Sequence, residues 1–464
     1  MDLNQEKELF ERTPVPRAIL RLALPSVVGQ IILVVYNMAD TFFVAQTGSD
    51  AMISAVTVCM PAFMFLSAIA NLFGVGGSSV IAQALGKEER DRAGHASAFA
   101  LAGCALTAGA YALLAWLLMD PFVDLLGGWD PGVHSLARSY LFATVVLGGV
   151  FTALNALLSH LIRAEGDSVR ASLGIMLGGV LNILLDPLFM FVILPPGQEA
   201  LGAAIATALS NVVALCYFVV VLVCKRGRTV LSFRPRREML EEEIPRRVLG
   251  NGLPACLMTL FENISFAVLD HLMALSGTAM QAGIGVAKKV NMLAHCAVRG
   301  MAQGVLPLIG YNYASRDRAR MREAVRLSML ISVGIAGACT AVCLVWSDAL
   351  IGVFIRPGSG SLAYGAAFLR ILCLGAPCSA CAYTCISFFQ AVSRGNKSLL
   401  LAIFRKGLLD VPLMFFLQGS WPVYGVVWAT PITDGVCCVL ALVLYARFMR
   451  KHASRKIPAP VPAK

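Results

Sequence analysis

Residues 24–48 read LPSVVGQIILVVYNMADTFFVAQTG. The run is apolar and long enough to cross a bilayer, which takes about 20 residues. It carries Pro25 near one end and a single carboxylate, Asp40, near the other, and no Lys or Arg occurs between residues 22 and 86. A carboxylate in the middle of a membrane helix costs roughly 2.5–3.5 kcal/mol on insertion scales, so it seldom sits there without a task. With no basic partner on its own helix or the next, Asp40 is expected to hold a small cation of its own.

Working outward, the rest of the chain has the same character. Of 464 residues 58% are hydrophobic and only 14% charged, with a mean hydropathy of +0.74. A soluble protein would carry about 25% charged residues, so this composition indicates an all-α integral membrane protein. The formal charge of +11 does not signal nucleic acid, because the bases gather in short loops between apolar segments and suit anionic lipid headgroups instead. The 14 Cys fall almost entirely inside apolar stretches, and the lone CxxC (Cys378, Cys381) has no second pair at ligand spacing. The N-terminus, MDLNQEKELFERTP, has no signal-peptide core.

Twelve spans are expected, at about 17–45, 52–85, 93–118, 133–161, 169–194, 200–224, 247–276, 280–310, 322–346, 362–391, 398–418 and 423–449. Bases cluster in alternate loops. They include Lys7, Arg12, Arg17 and Arg21 before the first span, Lys87, Arg90 and Arg92 in the second loop, and Arg163 and Arg170 in the fourth. Eight bases from Lys225 to Arg247, Arg236 among them, fill the central loop; Arg316, Arg318, Arg320 and Arg322 the eighth; Arg394 and Lys397 the tenth; Arg450, Lys451, Arg455 and Lys456 the tail. Arg138 and Arg356 are the exceptions. The positive-inside rule then places both termini in the cytoplasm, for a multi-pass protein of the cell membrane.

The second half repeats the first. Leu24-Pro25 matches Leu253-Pro254, GKEERDRA (86–93) matches NYASRDRA (312–319), and Leu184-Leu185-Asp186-Pro187 echoes Leu408-Leu409-Asp410-Val411-Pro412. Thr207 falls opposite Thr430, and the spacing between matched positions stays nearly constant along the chain. Six helices followed by six of the same orientation make a parallel repeat, the build of a secondary transporter. The expected division is an N-lobe at 1–225, a cytoplasmic linker at 226–246, and a C-lobe at 247–464.

This architecture, with the LP opening of each half, YNMADTFFVAQTG, ALGKEERDRA, LIRAEGD and LNILLDPLF, resembles the multidrug and toxic compound extrusion (MATE) family of the polysaccharide-exporter and flippase superfamily. It is most similar to the DinF-like branch, which keeps an Asp in the first helix and an Asn…Asp pair in the fifth. The resemblance implies export of drugs or other amphipathic, often cationic, compounds in exchange for H⁺ or Na⁺, by alternating access between two lobes. It implies no cofactor beyond that coupling ion, and small organic substrates and the bilayer as partners of a monomeric chain.

The candidate ion ligands lie at one level. At 1.5 Å per helical residue, Asp40, Asp186 and Thr207 fall roughly 9–12 Å below the outer surface. Asn182 and Asp186 are four apart on one helix, and Asn37 and Asp40 three apart on another, so each pair shares a face. Two carboxylates close together in low dielectric repel, so a proton or a bridging cation is expected between them. The oxygen set of Asp40, Asn182, Asp186 and Thr207 suits a hard cation such as Na⁺, and the resemblance assigns these four positions to the ion site. Tyr36, Asn37 and Pro25 are supporting candidates. By the same resemblance, filling the Asp40 site changes the bend of the first helix at Pro25 and releases substrate outward.

The second lobe holds acids at Glu262, Asp270, Asp410 and Asp434, but also Lys288, Lys289, Arg299, Arg405 and Lys406 within spans. Structural ion pairs are the expectation there. A second cation site at Glu262 and Asp410 is the weaker alternative, because the tenth span lacks the acid of the NorM-like branch. A flippase for a lipid-linked precursor would need buried bases around its cavity, and the first lobe's spans as drawn contain none. No His-rich motif or nucleophile–base pair suggests an enzyme.

Overall fold

The computed structural model describes residues 7–234, 237–241, 243–355 and 360–453, and within these it is built of helices. The bases Arg236, Arg356, Arg455 and Lys456 lie outside the described residues. In chain order the long helices are α1 (Val15–Gln46), α2 (Asp50–Gly86), α3 (Arg90–Leu117), α4 (Pro131–Ala164), α5 (Ser168–Ile193) and α6 (Glu199–Cys224). They are followed by α7 (Ile244–Ser276), α8 (Thr278–Ala314), α9 (Arg318–Val345), α10 (Gly360–Ala391), α11 (Gly395–Ser420) and α12 (Tyr424–Ala453).

Nine of these are individually long and apolar enough to cross a membrane. Two more, α4 and α10, qualify as bent pairs, with bends of 49° and 42°. Those bends fall at Gly148 and Gly375, positions that the repeat places opposite one another, so the likeness of the halves extends to helix shape. The remaining helix, α11, passes through a π-helical stretch at Ile403–Asp410. The extra residue per turn of such a stretch re-aims side chains, and π segments are frequent at functional sites. Here Arg405, Lys406 and Asp410 are all turned inward and buried. The first helix runs unbroken through Pro25.

In the first lobe α1 packs on α5, α2 on α3 and α4, and α5 on α6; in the second, α8 packs on α9 and α10, and α10 on α12. Two helix pairs, α1 with α8 and α2 with α7, join the lobes. Both seams rest on missing side chains. A Cβ added at Gly252 would sit 1.6 Å from the Leu72 carbonyl oxygen, and one at Gly304 would sit 2.5 Å from the Cα of Ala23. Backbone therefore meets backbone, a contact that only glycine permits.

The seams are fastened at the end of the molecule where the N-terminal tail lies. Ser79 Oγ donates to the Gln390 carbonyl at 2.6 Å, Gln83 Nε2 to the Ala391 carbonyl at 2.6 Å, and Asn251 Nδ2 to Ser79 Oγ at 3.2 Å. The tail is less polar in place than its composition suggests. Leu9 and Phe10 are fully buried, and Phe10 stacks on Tyr311 at 4.8 Å. Arg320 holds the tail's carbonyls at Leu9, Phe10 and Thr13, at 3.1, 2.6 and 2.5 Å. Nearby, buried Glu165 accepts from Thr229 Oγ1 and the Val230 and Leu231 amides at 2.6, 2.7 and 3.3 Å, which pins the interlobe linker to the α4–α5 turn.

Replacing Gly252 by Ala should part α2 from α7 and destabilise the protein by about 1–3 kcal/mol, the range for overpacking. Gly334, on the open face of α9 with nothing within 4 Å of its notional Cβ, should accept Ala with no loss. Thermal unfolding of the two purified variants measures the difference, and equal unfolding temperatures would contradict a seam built on that contact.

Candidate functional site

Three helices of the first lobe bring the predicted ion ligands together. Asp40 on α1, Asn182 and Asp186 on α5 and Thr207 on α6 are all buried, with Asp186 at 0% and Asp40 at 7% exposure. The helices approach because small residues line them: Gly179 on α5 leaves room for Ile32 and Tyr36 of α1. Asn182 is the centre of the cluster. Its Nδ2 donates to Asp186 Oδ1 at 3.3 Å and to Thr207 Oγ1 at 3.2 Å. Asp40 and Asp186 are close enough to repel one another electrostatically.

The chemistry lies in what remains unmatched. Asp40 Oδ1, Asn182 Oδ1 and Asp186 Oδ2 are buried and accept no hydrogen bond. All three are oxygens, and all three are acceptors. A buried acceptor without a partner costs about 1–3 kcal/mol, more when charged, so the cluster has the donor set of a hard-cation or proton site. Neither carboxylate forms an ion pair among the described residues; Lys289, on α8 of the other lobe, is near enough to act on Asp40 only through its field.

The repeat supplies an internal control. The spacing that relates the two halves carries Asn182, Asp186 and Thr207 onto Lys406, Asp410 and Thr430. In the second lobe Lys406 Nζ sits 2.9 Å from Asp410, which also accepts from Ser265 Oγ at 2.6 Å and Thr430 Oγ1 at 3.2 Å. The register that matches Leu24-Pro25 to Leu253-Pro254 carries Asp40 onto Leu269, so the second carboxylate is missing there as well. The second lobe's version thus holds one acid and one tethered ammonium, while the first lobe's holds two acids and an amide.

The other second-lobe acids are matched in the same way. Glu262 meets Arg299 Nη2 at 3.0 and 2.9 Å, Asp434 meets Arg405 at 2.7 Å, and Asp270 meets Lys288. Glu262 and Asp410, the alternative second-lobe pair, therefore each face a base.

Of the supporting residues, Tyr36 is half-buried and lies within the field of both Asp40 and Asp186. Asn37 turns its amide to the Leu33 carbonyl of its own helix at 2.7 Å. Pro25 lies several turns before Asp40, at the fastened end of α1. Sequence reasoning missed three participants. Tyr140 on α4 is buried beside Asp40, Asp186 and Tyr36. Asn211 on α6 donates to the Thr207 carbonyl at 2.9 Å and accepts from Asn155 of α4 at 2.9 Å, which extends the polar cluster toward the tail end. Arg163 is the third, and it corrects the expectation that the first lobe has no buried base. The fourth helix continues to Ala164, so Arg163 lies inside it and is 2% exposed. It borders a cleft between the lobes, along with Glu262, Arg299 and Tyr383 of the opposite lobe.

Known proteins are similar to this chain in sequence and in fold. The MatE family signature matches residues 25–188 and again 254–416, the two halves of the repeat. The multidrug export protein MepA of Staphylococcus saprophyticus is 26% identical over 446 residues, covering 95% of this chain and 96% of MepA. MepA of Staphylococcus aureus is 25% identical over 447 residues, covering 95% and 96%. Among solved structures, the outward-facing conformation of a multidrug resistance MATE family transporter of the MOP superfamily is 26% identical. It covers 97% of this chain and 99% of that one, with a TM-score of 0.88. With the signature present in both halves of a twelve-helix repeat, the chain belongs to the MATE family.

Proposed function

We propose that the protein is a secondary active exporter that moves amphipathic organic compounds out of the cell in exchange for H⁺ or Na⁺. The coupling ion binds at Asp40, Asn182, Asp186 and Thr207. The observation that carries this reading is the pair of repeat-related sites: Asp410 keeps a built-in ammonium, whereas Asp40 and Asp186 form no ion pair among the described residues and leave acceptor oxygens unmatched. An ion that arrives and leaves supplies what Lys406 supplies permanently in the other lobe. The relatives named for multidrug export support the direction of transport and the substrate class.

In this reading residues 1–225 and 247–464 are the two moving lobes, 226–246 is a cytoplasmic linker, and a single chain completes the path. Both termini are cytoplasmic, so the fastened seams close the inner side and the cleft faces outward. Alternating access then requires the seams to part while the far ends close. Entry of the ion at Asp40 relieves the repulsion between the two acids. Pro25, which leaves one carbonyl of α1 without its usual donor, marks where that helix can bend in response. The protein is a transporter and not an enzyme. A flippase for a lipid-linked precursor is the second reading, favoured by the buried base Arg163 beside the cleft.

Efflux of a cationic dye from everted vesicles, with the sodium and proton gradients collapsed separately, tests the function. Loss of efflux with one gradient identifies the ion, and indifference to both favours the flippase. Asp40→Asn removes one of the two charges and should lower ion-driven efflux by at least about tenfold; full efflux would contradict the ion site. Asn182→Lys copies the second lobe's solution into the first. It should give a folded protein whose dye binding no longer responds to Na⁺ or pH, and retained ion sensitivity would show that Asp186 is not a ligand.

A further inference from the structure

The interlobe cleft and the ion site have opposite chemistry. Among the described residues bordering the cleft, the buried side-chain atoms without a partner are Arg163 Nε, Nη1 and Nη2, Arg299 Nε and Gln390 Nε2. All are nitrogens, and all are N–H donors. At the ion site, near the far end of α5, the unmatched atoms are oxygens.

The formal charge of the cleft points the same way. Glu262 is neutralised by Arg299, which grips both of its oxygens. Arg163 and Arg299 contribute two positive charges and Glu262 one negative, which leaves one positive charge, that of Arg163. A buried guanidinium with no acceptor is costly unless an anion completes it. Its planar fork matches a carboxylate or phosphate oxygen pair. Met258, Leu306 and Tyr383 give the same cleft an apolar wall.

We infer that Arg163, with Gln390 across the cleft, forms an anion-binding subsite for a carboxylate, sulfonate or phosphate group on an amphipathic molecule. The inference rests on the transport reading for its biological meaning, but not for its test. The acidic group belongs either to an exported small molecule or to a lipid headgroup, since both present the same oxygens.

Two xanthene dyes of similar body and opposite charge separate the outcomes: fluorescein, which carries a carboxylate, and rhodamine 6G, a cationic ester. Binding is read by fluorescence anisotropy on the purified full chain in phosphatidylcholine nanodiscs, with no ion gradient. Fluorescein should bind the wild-type chain. Its Kd should rise about tenfold or more in Arg163→Gln, the loss expected for a charge-assisted bond, and less in Arg163→Lys. Rhodamine 6G binding should barely change. Gln390→Leu should weaken fluorescein in the same sense and serves if Arg163→Gln unfolds.

Nanodiscs containing phosphatidylglycerol distinguish the sources. Competition with fluorescein that depends on Arg163 assigns the subsite to a lipid phosphate; absence of competition assigns it to the exported compound. Fluorescein binding that is absent, indifferent to both variants, or lost equally with rhodamine 6G would overturn the inference. Failure of ion-driven efflux with Arg163-dependent fluorescein binding intact would count against the transport reading alone.

Discussion

Two carboxylates held in one membrane lobe, with no ion pair to either among the described residues, are the constraint on which the rest of this molecule depends. Charge buried in a low-dielectric interior must be matched, and the protein matches it in two ways. The second lobe does so internally: Glu262 with Arg299, Asp434 with Arg405, and Asp410 with Lys406. The first lobe leaves Asp40 and Asp186 with unmatched oxygens and places the amide of Asn182 where the repeat has Lys406. These second-lobe acids each face a base, whereas the first lobe's two acids form no ion pair among the described residues. In the proposed mechanism, that asymmetry within a symmetric fold is what makes the first lobe responsive.

The seams between the lobes give that response somewhere to go. Backbone contacts at Gly252 and Gly304 allow close approach without interlocking side chains, and a small set of hydrogen bonds around Ser79, Gln83, Asn251 and Ser393 latches one end. The Phe10–Tyr311 stack and the grip of Arg320 on the tail's carbonyls add a plug at the same end. Such contacts are numerous enough to hold a conformation yet individually modest, at about 0.5–1.5 kcal/mol for a neutral hydrogen bond. A change of charge at Asp40 acts on α1, which is itself half of the α1–α8 seam.

Much of this was legible in the sequence, because the physics that fixes it is local. Apolar length gave the spans, and the recurrence of LP, RDRA and LLD-type motifs gave the repeat. An uncompensated Asp40 pointed to a candidate cluster with Asn182, Asp186 and Thr207, and the helices bring those four side chains near one another. What escaped depends on where a side chain points once helices pack. Asn37 shares a face with Asp40 but bonds back to Leu33. Tyr140 and Asn211 gave no signal in an apolar run. Arg163 was read as a loop base because the apolar pattern ends at residue 161, whereas the helix continues to Ala164. The pairing of Asp410 with Lys406 and of Asp434 with Arg405 likewise draws on the π-helical turn in α11, which composition does not announce.

The central claim is that Asp40 and Asp186 are completed by an exchangeable cation, as Asp410 is completed by a fixed one. Its most direct test is cation occupancy of the purified, gradient-free protein, read as saturable uptake of radiolabelled sodium together with proton release. The account predicts saturable exchange that disappears in Asp40→Asn and in Asp186→Asn but survives in Asp410→Asn. Exchange that persists in both first-lobe variants, or that vanishes with Asp410, would contradict it.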